Sequence, residues 1–367
     1  MIVGVLGGGQ LGRMLALAGL PLGLRFRFLD PSLDACAGHV GELHVGDYDD
    51  EAALARFADG LDAVTYEFEN VPVAAVRWLA ERVPVFPSAD TLEVAQDRLA
   101  EKSLFARLGI PTVPFASIDS LADLRAALGT IGLPAIFKTR RLGYDGKGQV
   151  VLRAEVDAEG AWRALGGAQS ILEGWAPFSR EVSLLAARGQ DGDVRAFPLT
   201  ENRHRDGILR VSRAPAADGP DAAIARLQGL ADEYAGRVLG ALGYVGLLAV
   251  ELFVVEGGLL ANEIAPRVHN SGHWTIEGAA TSQFEQHLRA GLGLPLGSTE
   301  PLGHAGMVNL IGDAPPLADL LGARGAHVHL YGKAARAGRK IGHVTVVDPD
   351  PAHRDARLEA LTQKSYP

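Results

Sequence analysis

The chain opens on an apolar run, Ile2-Val3-Gly4-Val5-Leu6, that gives way to three glycines and then, from Leu11, to apolar residues at helical spacing. The next strand-like runs are Arg25-Phe26-Arg27-Phe28-Leu29, ending at Asp30, and Ala63-Val64-Thr65-Tyr66. Strands alternating with helices over the first 90 or so residues predict βαβ units and a parallel sheet, with Val83-Pro84-Val85-Phe86 as its closing strand. A helix carrying Asp97, Arg98 and Lys102 on its polar side opens a new unit, which ends at Gly109-Ile110-Pro111.

From about 115 to 190 the pattern predicts a small α+β unit, with helices over 121–128 and near Ala161. Its strands are Ala135-Ile136-Phe137-Lys138, Val150-Val151-Leu152 and Ser170-Ile171-Leu172-Glu173. From about 190 to 300 come helices over 224–242 and 284–290. Two apolar strands lie here, Leu247-Leu248-Ala249-Val250 and Gly258-Leu259-Leu260-Ala261, joined by the turn Glu256-Gly257-Gly258 as an antiparallel pair. Past Pro301 stand short strands at 307–310 and 327–330, and a last helix that has only begun when the chain reaches Ser365-Tyr366-Pro367.

The antiparallel pair holds the densest chemistry. Its register sets Glu251 beside Glu263, with Asn262 adjacent, and the chain continues through Arg267, His269, Asn270 and His273. Two carboxylates and an amide oxygen make a hard-oxygen site suited to Mg²⁺, with Mn²⁺ as an alternative, that would also carry phosphate oxygens of a substrate.

Two glycine loops add phosphate chemistry. Gly7-Gly8-Gly9-Gln10-Leu11-Gly12 fits G-x-G-x-x-G between a strand and a helix, with Asp30 where a ribose-binding acid would stand. That pattern suits a dinucleotide, any phosphate at a helix N-terminus, or simply close strand-helix packing, and no second dinucleotide half follows. Thr139-Arg140-Arg141-Leu142-Gly143-Tyr144-Asp145-Gly146-Lys147-Gly148-Gln149 is a flexible loop able to close over phosphates, with Lys138 before it as a point charge. It lacks the P-loop signature. Glu173-Gly174-Trp175-Ala176 leaves a strand with backbone groups able to read an adenine edge, and Glu181 is near enough in sequence to hold ribose hydroxyls. Lysine occurs only at 102, 138, 147, 333, 340 and 364, against an arginine background, which singles those positions out.

Bulk properties narrow the partners. At 367 residues, 47% hydrophobic and 22% charged, the chain is long enough for two or three domains. A net charge of −9 argues against nucleic acid or an anionic membrane as the main partner, which leaves a small-molecule substrate. The lone Cys36 excludes an internal disulfide framework and fits a reducing cytoplasm. No run approaches about 18 apolar residues and the N-terminus lacks a basic leader, so neither a membrane span nor a signal peptide is expected.

Taken together these segments resemble the ATP-grasp superfamily, and within it the N5-carboxyaminoimidazole ribonucleotide synthase family. The resemblance rests on Gly7 to Met14, Tyr66-Glu67-Phe68-Glu69-Asn70-Val71-Pro72, Gly143 to Gln149, Asp206-Gly207-Ile208-Leu209, Ala265-Pro266-Arg267-Val268-His269-Asn270-Ser271-Gly272-His273-Trp274 and Gly338-Arg339-Lys340-Ile341-Gly342-His343. It implies an α/β and α+β ATP-grasp fold with a parallel-sheet N-terminal domain over 1–98, a linker and small lid over 99–190, a large subdomain over 191–300 and a C-terminal segment over 301–367. It implies ATP contacts at Arg98, Lys138, Gly143, Tyr144, Asp145, Gly146, Lys147, Gly148, Gln149, Glu173, Gly174, Trp175, Ala176, Glu181, His204, Asn262 and Glu263, with Mg²⁺ on Glu251 and Glu263. Substrate contacts are implied at Gln10, Leu11, Glu67, Tyr144, Asp145, Arg267, His269, Lys333 and Arg339.

The implied reaction is carboxylation of aminoimidazole ribonucleotide by ATP and bicarbonate through carboxyphosphate, in a cytoplasmic homodimer of purine biosynthesis. Arg267 would clamp the anion, and His269 would take the proton from the attacking amine, with Asp145 in reserve. A sister ATP-grasp ligase, a nicotinamide oxidoreductase and a nucleotide sensor without turnover remain alternatives.

Overall fold

The computed structural model describes residues 1–143, 148–216 and 221–366. The N-terminal unit is a parallel sheet of β1 (Ile2–Leu6), β2 (Arg25–Asp30), β3 (Glu42–Val45) and β4 (Ala63–Tyr66) in the order β3-β2-β1-β4. β3 escaped the sequence reading because its four residues include only two apolar ones. The expected closing strand is reduced to a single parallel bridge between Val64 and Val85.

The small unit is an antiparallel sheet of β5 (Phe115–Ile118), β6 (Ala135–Thr139), β7 (Gln149–Leu152) and β8 (Ser170–Gly174), ordered β5-β8-β6-β7. Helices Leu121–Ile131 and Ala158–Ala164 cover one face of it through Leu124, Leu128 and Ala161.

The remaining strands form one antiparallel sheet: β9 (Arg180–Arg188), β10 (Val194–Ala196), β11 (Thr200–Arg205), β12 (Ile208–Ala214), β13 (Gly246–Val255), β14 (Gly258–Ala265), β15 (His304–Ile311), β16 (Ala326–Leu330) and β17 (Lys340–Asp348). Their order is β14-β13-β9-β11-β12-β15-β17-β16, with β10 on β9. β9 lies at the heart of this sheet, so Arg180–Arg188 pairs with the large sheet and not with the small unit expected to run to about 190. The segment past 301 extends the same sheet through β15 to β17. The closing helix is a full 15 residues, Pro351–Ser365, capped by Asp350, and not the stub expected from the sequence.

One apolar cluster runs from Val3, Leu11 and Phe28 through Leu247, Trp274 and Phe284 to Met307, so the N-terminal unit and the large sheet share a core. His287 pins the two together. Its Nδ1 accepts from the backbone N–H of Leu247 at 3.1 Å, which leaves the ring hydrogen on Nε2, 2.8 Å from the Thr65 hydroxyl on β4. Burial pushes this imidazole down to about 4. The unfolded chain takes up this proton near pH 6.5 and the folded one only near 4, so stability from His287 is lost as pH falls through that window. The full effect is about 3 kcal/mol. In urea titrations at about pH 7 and about pH 4.5, a His287→Gln variant should lose that share of the acid sensitivity; equal pH slopes in both proteins would refute the assignment. Among the described residues no helix is long and apolar enough to cross a membrane.

Candidate active site

A cleft of about 800 Å³ opens where the three units meet. Of the residues singled out by sequence, Gln10, Leu11, Glu67, Arg98, Lys138, Gly143, Gln149, Glu181, His204, Glu251, Asn262, Glu263, Arg267 and His269 line it. Glu173, Gly174, Trp175, Ala176, Gly148, Lys333 and Arg339 do not form its wall. Tyr144, Asp145, Gly146 and Lys147 lie outside the described residues.

The first glycine loop is shaped by a side chain rather than by a dinucleotide. Glu67, directly after β4, accepts from the backbone N–H of Gly9 and from that of Gly12 at 2.6 Å, so its carboxylate occupies two of the donors at the start of helix Gln10–Gly19. A Cβ on Gly7 or Gly9 would come within 2.5 Å of that side chain, and Gly7 also stands at φ +100°. The glycines are therefore required by Glu67. Asp30 braces the same loop by accepting from Gly8 at 2.8 Å, and is not a ribose acid in waiting. Beside it Lys333 donates to Gln10 Oε1 at 2.7 Å, and burial and Arg339 both lower its pKa.

The nucleotide side is built on buried ion pairs. Lys138 at the end of β6 meets Glu173 Oε2 at 2.8 Å, and Lys102 stands 3.9 Å from the same oxygen. Lys102 is 1% exposed, so the polar side of helix Arg98–Arg107 faces inward and not to solvent. It donates to the Asn262 carbonyl at 2.7 Å, fixing β14 from behind. Burial raises the Glu173 carboxyl, but Lys138 and Lys102 outweigh it and hold the pKa low; the side chain is spent on the lysines, leaving backbone groups for a base. Glu181 on β9 is 2.6 Å from His204 Nδ1 on β11; burial opposes the charged imidazole, yet the carboxylate raises its pKa.

Glu251 and Glu263 are direct partners across β13 and β14, as their spacing predicts, joined by the turn at Glu256 and Gly257. Arg98 Nη1 reaches Glu263 Oε2 at 3.0 Å, and its Nη2 reaches the Gly143 carbonyl at 3.4 Å, tying the lid loop to the carboxylate strand. Burial and the facing Glu263 push Glu251 up to about 8. A divalent cation between the two would relieve that repulsion, and carboxylate oxygens suit Mg²⁺. Among the described residues no group of three or more His, Cys, Asp or Glu gathers into an all-protein metal site.

Arg267 and His269 follow β14 into the cleft. Arg267 Nε pairs with Glu69, and Nη1 donates to the Val268 carbonyl at 3.0 Å. Burial raises the Glu69 carboxyl, but Arg267 overrides it and holds the pKa at about 2. His269 Nδ1 is hydrogen-bonded to Ser271 Oγ at 2.8 Å and Nε2 lies 3.2 Å from Glu251 Oε1, and burial and Arg267 push the ring down to about 3. A ring so placed is a poor proton acceptor, which counts against it as the base.

Sequence reading missed Glu69, Glu101 and the pair Phe178 and Phe253. Glu101 accepts from Ile264 N–H at 2.6 Å and is pushed up to about 8 by burial and Glu263. The two phenylalanine rings stack at 4.6 Å and line the cleft. The run Glu67 to Glu69 carried a signal for Glu69; the others look like ordinary surface or core positions.

A large antiparallel sheet with a small antiparallel unit beside it, paired carboxylates and a strand-end lysine defines an ATP-grasp enzyme, and the ATP-grasp domain model matches residues 103–284. A ribonucleotide synthetase preATP-grasp domain matches 1–96 and a phosphoribosylaminoimidazole carboxylase C-terminal domain matches 305–357. The chain belongs to the N5-carboxyaminoimidazole ribonucleotide synthase family of ATP-dependent ligases. It is 56% identical to the N5-carboxyaminoimidazole ribonucleotide synthase of Pseudomonas aeruginosa over 99% of this chain and 100% of that one. The synthetase crystal structure from Thermus thermophilus matches with TM-score 0.95 and 59% identity over 100% of this chain and 99% of that one. The Aspergillus clavatus synthase, solved with ADP and 5-aminoimidazole ribonucleotide, matches with TM-score 0.91 and 32% identity over 99% and 98%.

Proposed function

We propose that this cleft performs the family's reaction, ATP-dependent carboxylation of 5-aminoimidazole ribonucleotide with bicarbonate, through carboxyphosphate and with release of ADP and phosphate. The observation that carries the reading is one cleft shared by the helix start at Gln10 and Leu11, Lys138, the opposed Glu251 and Glu263, and Arg267. A monophosphate seat, a triphosphate seat and an anion clamp open on the same space.

Lys138 and the loop from Gly143 through Tyr144, Asp145, Gly146, Lys147 and Gly148 to Gln149 hold the ATP phosphates and exclude water. The backbone of Glu173 to Ala176 takes the adenine edge, the stacked Phe178 and Phe253 wall off the cleft, and Glu181 with His204 takes the ribose. Glu251 and Glu263, with Asn262 beside them, would hold Mg²⁺ or Mn²⁺, which when bound supplies positive charge to the transferring phosphoryl group. Arg267 holds bicarbonate and then carboxyphosphate, with one Nη1 hydrogen and both Nη2 hydrogens left to give after Glu69 and Val268 are served. With His269 committed to Glu251 and Ser271, Asp145 is the proposed acceptor of the amine proton. The working enzyme on this reading is a cytoplasmic homodimer, and sedimentation tests the dimer.

The ribonucleotide phosphate sits at Gln10 and Leu11 with Lys333 and Arg339, near Glu67. Lys333→Met should raise KM for the ribonucleotide by roughly 10- to 100-fold, the loss of a charged hydrogen bond, with KM for ATP unchanged. A rise in the ATP KM instead would mean the two phosphate seats are exchanged. The reading as a whole is tested by measuring phosphate and carboxylated product together, with and without the ribonucleotide in bicarbonate buffer. Phosphate release that never depends on the ribonucleotide would overturn it.

A further inference from the structure

The turn that carries His269 is joined to the large sheet by four small polar side chains that the chemistry above does not use. Ser183 on β9, Asn202 on β11, Ser212 on β12 and Ser271 in the turn Asn270–Gly272 are all buried. Such groups are tolerated inside only when paired, and these are paired in one direction. The Ser212 hydroxyl donates to Asn202 Oδ1 at 2.8 Å, Asn202 Nδ2 donates to Ser183 Oγ at 2.9 Å, and the Ser183 hydroxyl donates to Ser271 Oγ at 2.7 Å. Ser271 Oγ then lies 2.8 Å from His269 Nδ1.

A hydroxyl has one hydrogen to give. Since Ser271 receives the hydrogen of Ser183, its own is free for His269 Nδ1. A second donor points the same way: the backbone N–H of Ser271 is directed at Nδ1 at 3.4 Å, and a backbone amide can only donate. Two donors on Nδ1 leave the ring hydrogen on Nε2, which faces Glu251 Oε1 at 3.2 Å. The other tautomer would set a ring N–H against two donors.

We propose that the relay from Ser212 through Asn202 and Ser183 to Ser271 locks His269 in the Nε2–H tautomer, making His269 a positioning residue that turns its N–H toward Glu251 and steers that side chain. The partners outside a metal's own ligands commonly fix their orientation in this way. The consequence for the metal rests on Glu251 being a ligand, as argued under the proposed function; the tautomer does not.

The full chain labelled with ¹⁵N-histidine, without nucleotide or metal, reads the tautomer directly once His269 is assigned by its loss in His269→Gln. The expected spectrum has hydrogen-bearing Nε2 and bare Nδ1. Ser183→Ala breaks the direction of the relay, so a second population with hydrogen on Nδ1 is expected, together with a rise of about tenfold in the Mg²⁺ needed for half-maximal activity. KM for the ribonucleotide should change little. Hydrogen on Nδ1 in the unmutated protein overturns the proposal whether or not the variant folds, and so does a folded variant in which the tautomer stays as it was; a shifted tautomer with an unchanged Mg²⁺ requirement overturns the steering of Glu251. Should the tautomer be as stated while Glu251→Gln leaves the Mg²⁺ requirement unaltered, the metal assignment fails and the lock itself stands.

Discussion

Glu263→Gln is expected to abolish turnover while leaving the protein folded. Its side chain is 39% exposed and lines the cleft, so the fold depends on it little. The chemistry depends on it twice. Glu263 faces Glu251 across the hairpin and supplies half of the negative charge available to a cation there, and it is the partner that holds Arg98 at 3.0 Å beside the lid loop. An amide keeps an oxygen in place but carries no charge. Charge stabilisation of a phosphoryl transition state by a bound cation is worth several kcal/mol, and each tenfold in rate is about 1.4 kcal/mol, so kcat/KM should fall by about a thousandfold. The check is kcat/KM over a Mg²⁺ series, with thermal melting to confirm the fold. Turnover within about tenfold of the unmutated enzyme would remove Glu263 from the metal site.

What could be read ahead of the structure was what is local in the chain. The hairpin that sets Glu251 against Glu263 spans a short turn and two apolar runs, and both are visible in sequence. The parallel N-terminal sheet follows likewise from alternation of pattern. Among the strands that were missed, β9, β11, β12 and β17 run beside or into the cleft and mix charges with small polar residues, as in Thr200-Glu201-Asn202-Arg203-His204-Arg205, so their hydrophobic period is broken where the site needs polar groups. Lys102 could be singled out by the rarity of lysine but not placed, because its partners, Glu173 and the Asn262 carbonyl, come from elsewhere in the chain. The same distance hid the pairing of Glu69 with Arg267. The role of His269 could not be read at all: its tautomer depends on serines and an asparagine that are unremarkable singly and meaningful only once folded side by side.

Arg267→Met is expected to damage fold and chemistry together, and removing Glu69 as well is expected to separate the two. The guanidinium spans two units, pairing with Glu69 after β4 while holding the Val268 carbonyl after β14, and Gln96 secures the same Glu69 segment through the carbonyls of Glu69 and Val71 at 2.8 and 2.7 Å. Methionine fills much of the space of the arginine stem but strands a carboxylate that Arg267 holds ionised. Breaking a fully buried pair costs roughly 3–5 kcal/mol; Glu69 is 31% exposed to the cleft, so about 2–3 kcal/mol is expected here. In the double variant Glu69→Gln with Arg267→Met no charge is stranded, and most of that stability should return. Turnover should not, because the cleft still lacks the forked donor that holds bicarbonate and carboxyphosphate. Denaturant midpoints and product formation, measured on both single variants and the double, distinguish the two roles. If the double variant recovers turnover along with stability, Arg267 serves the fold alone and the anion is held elsewhere in the cleft.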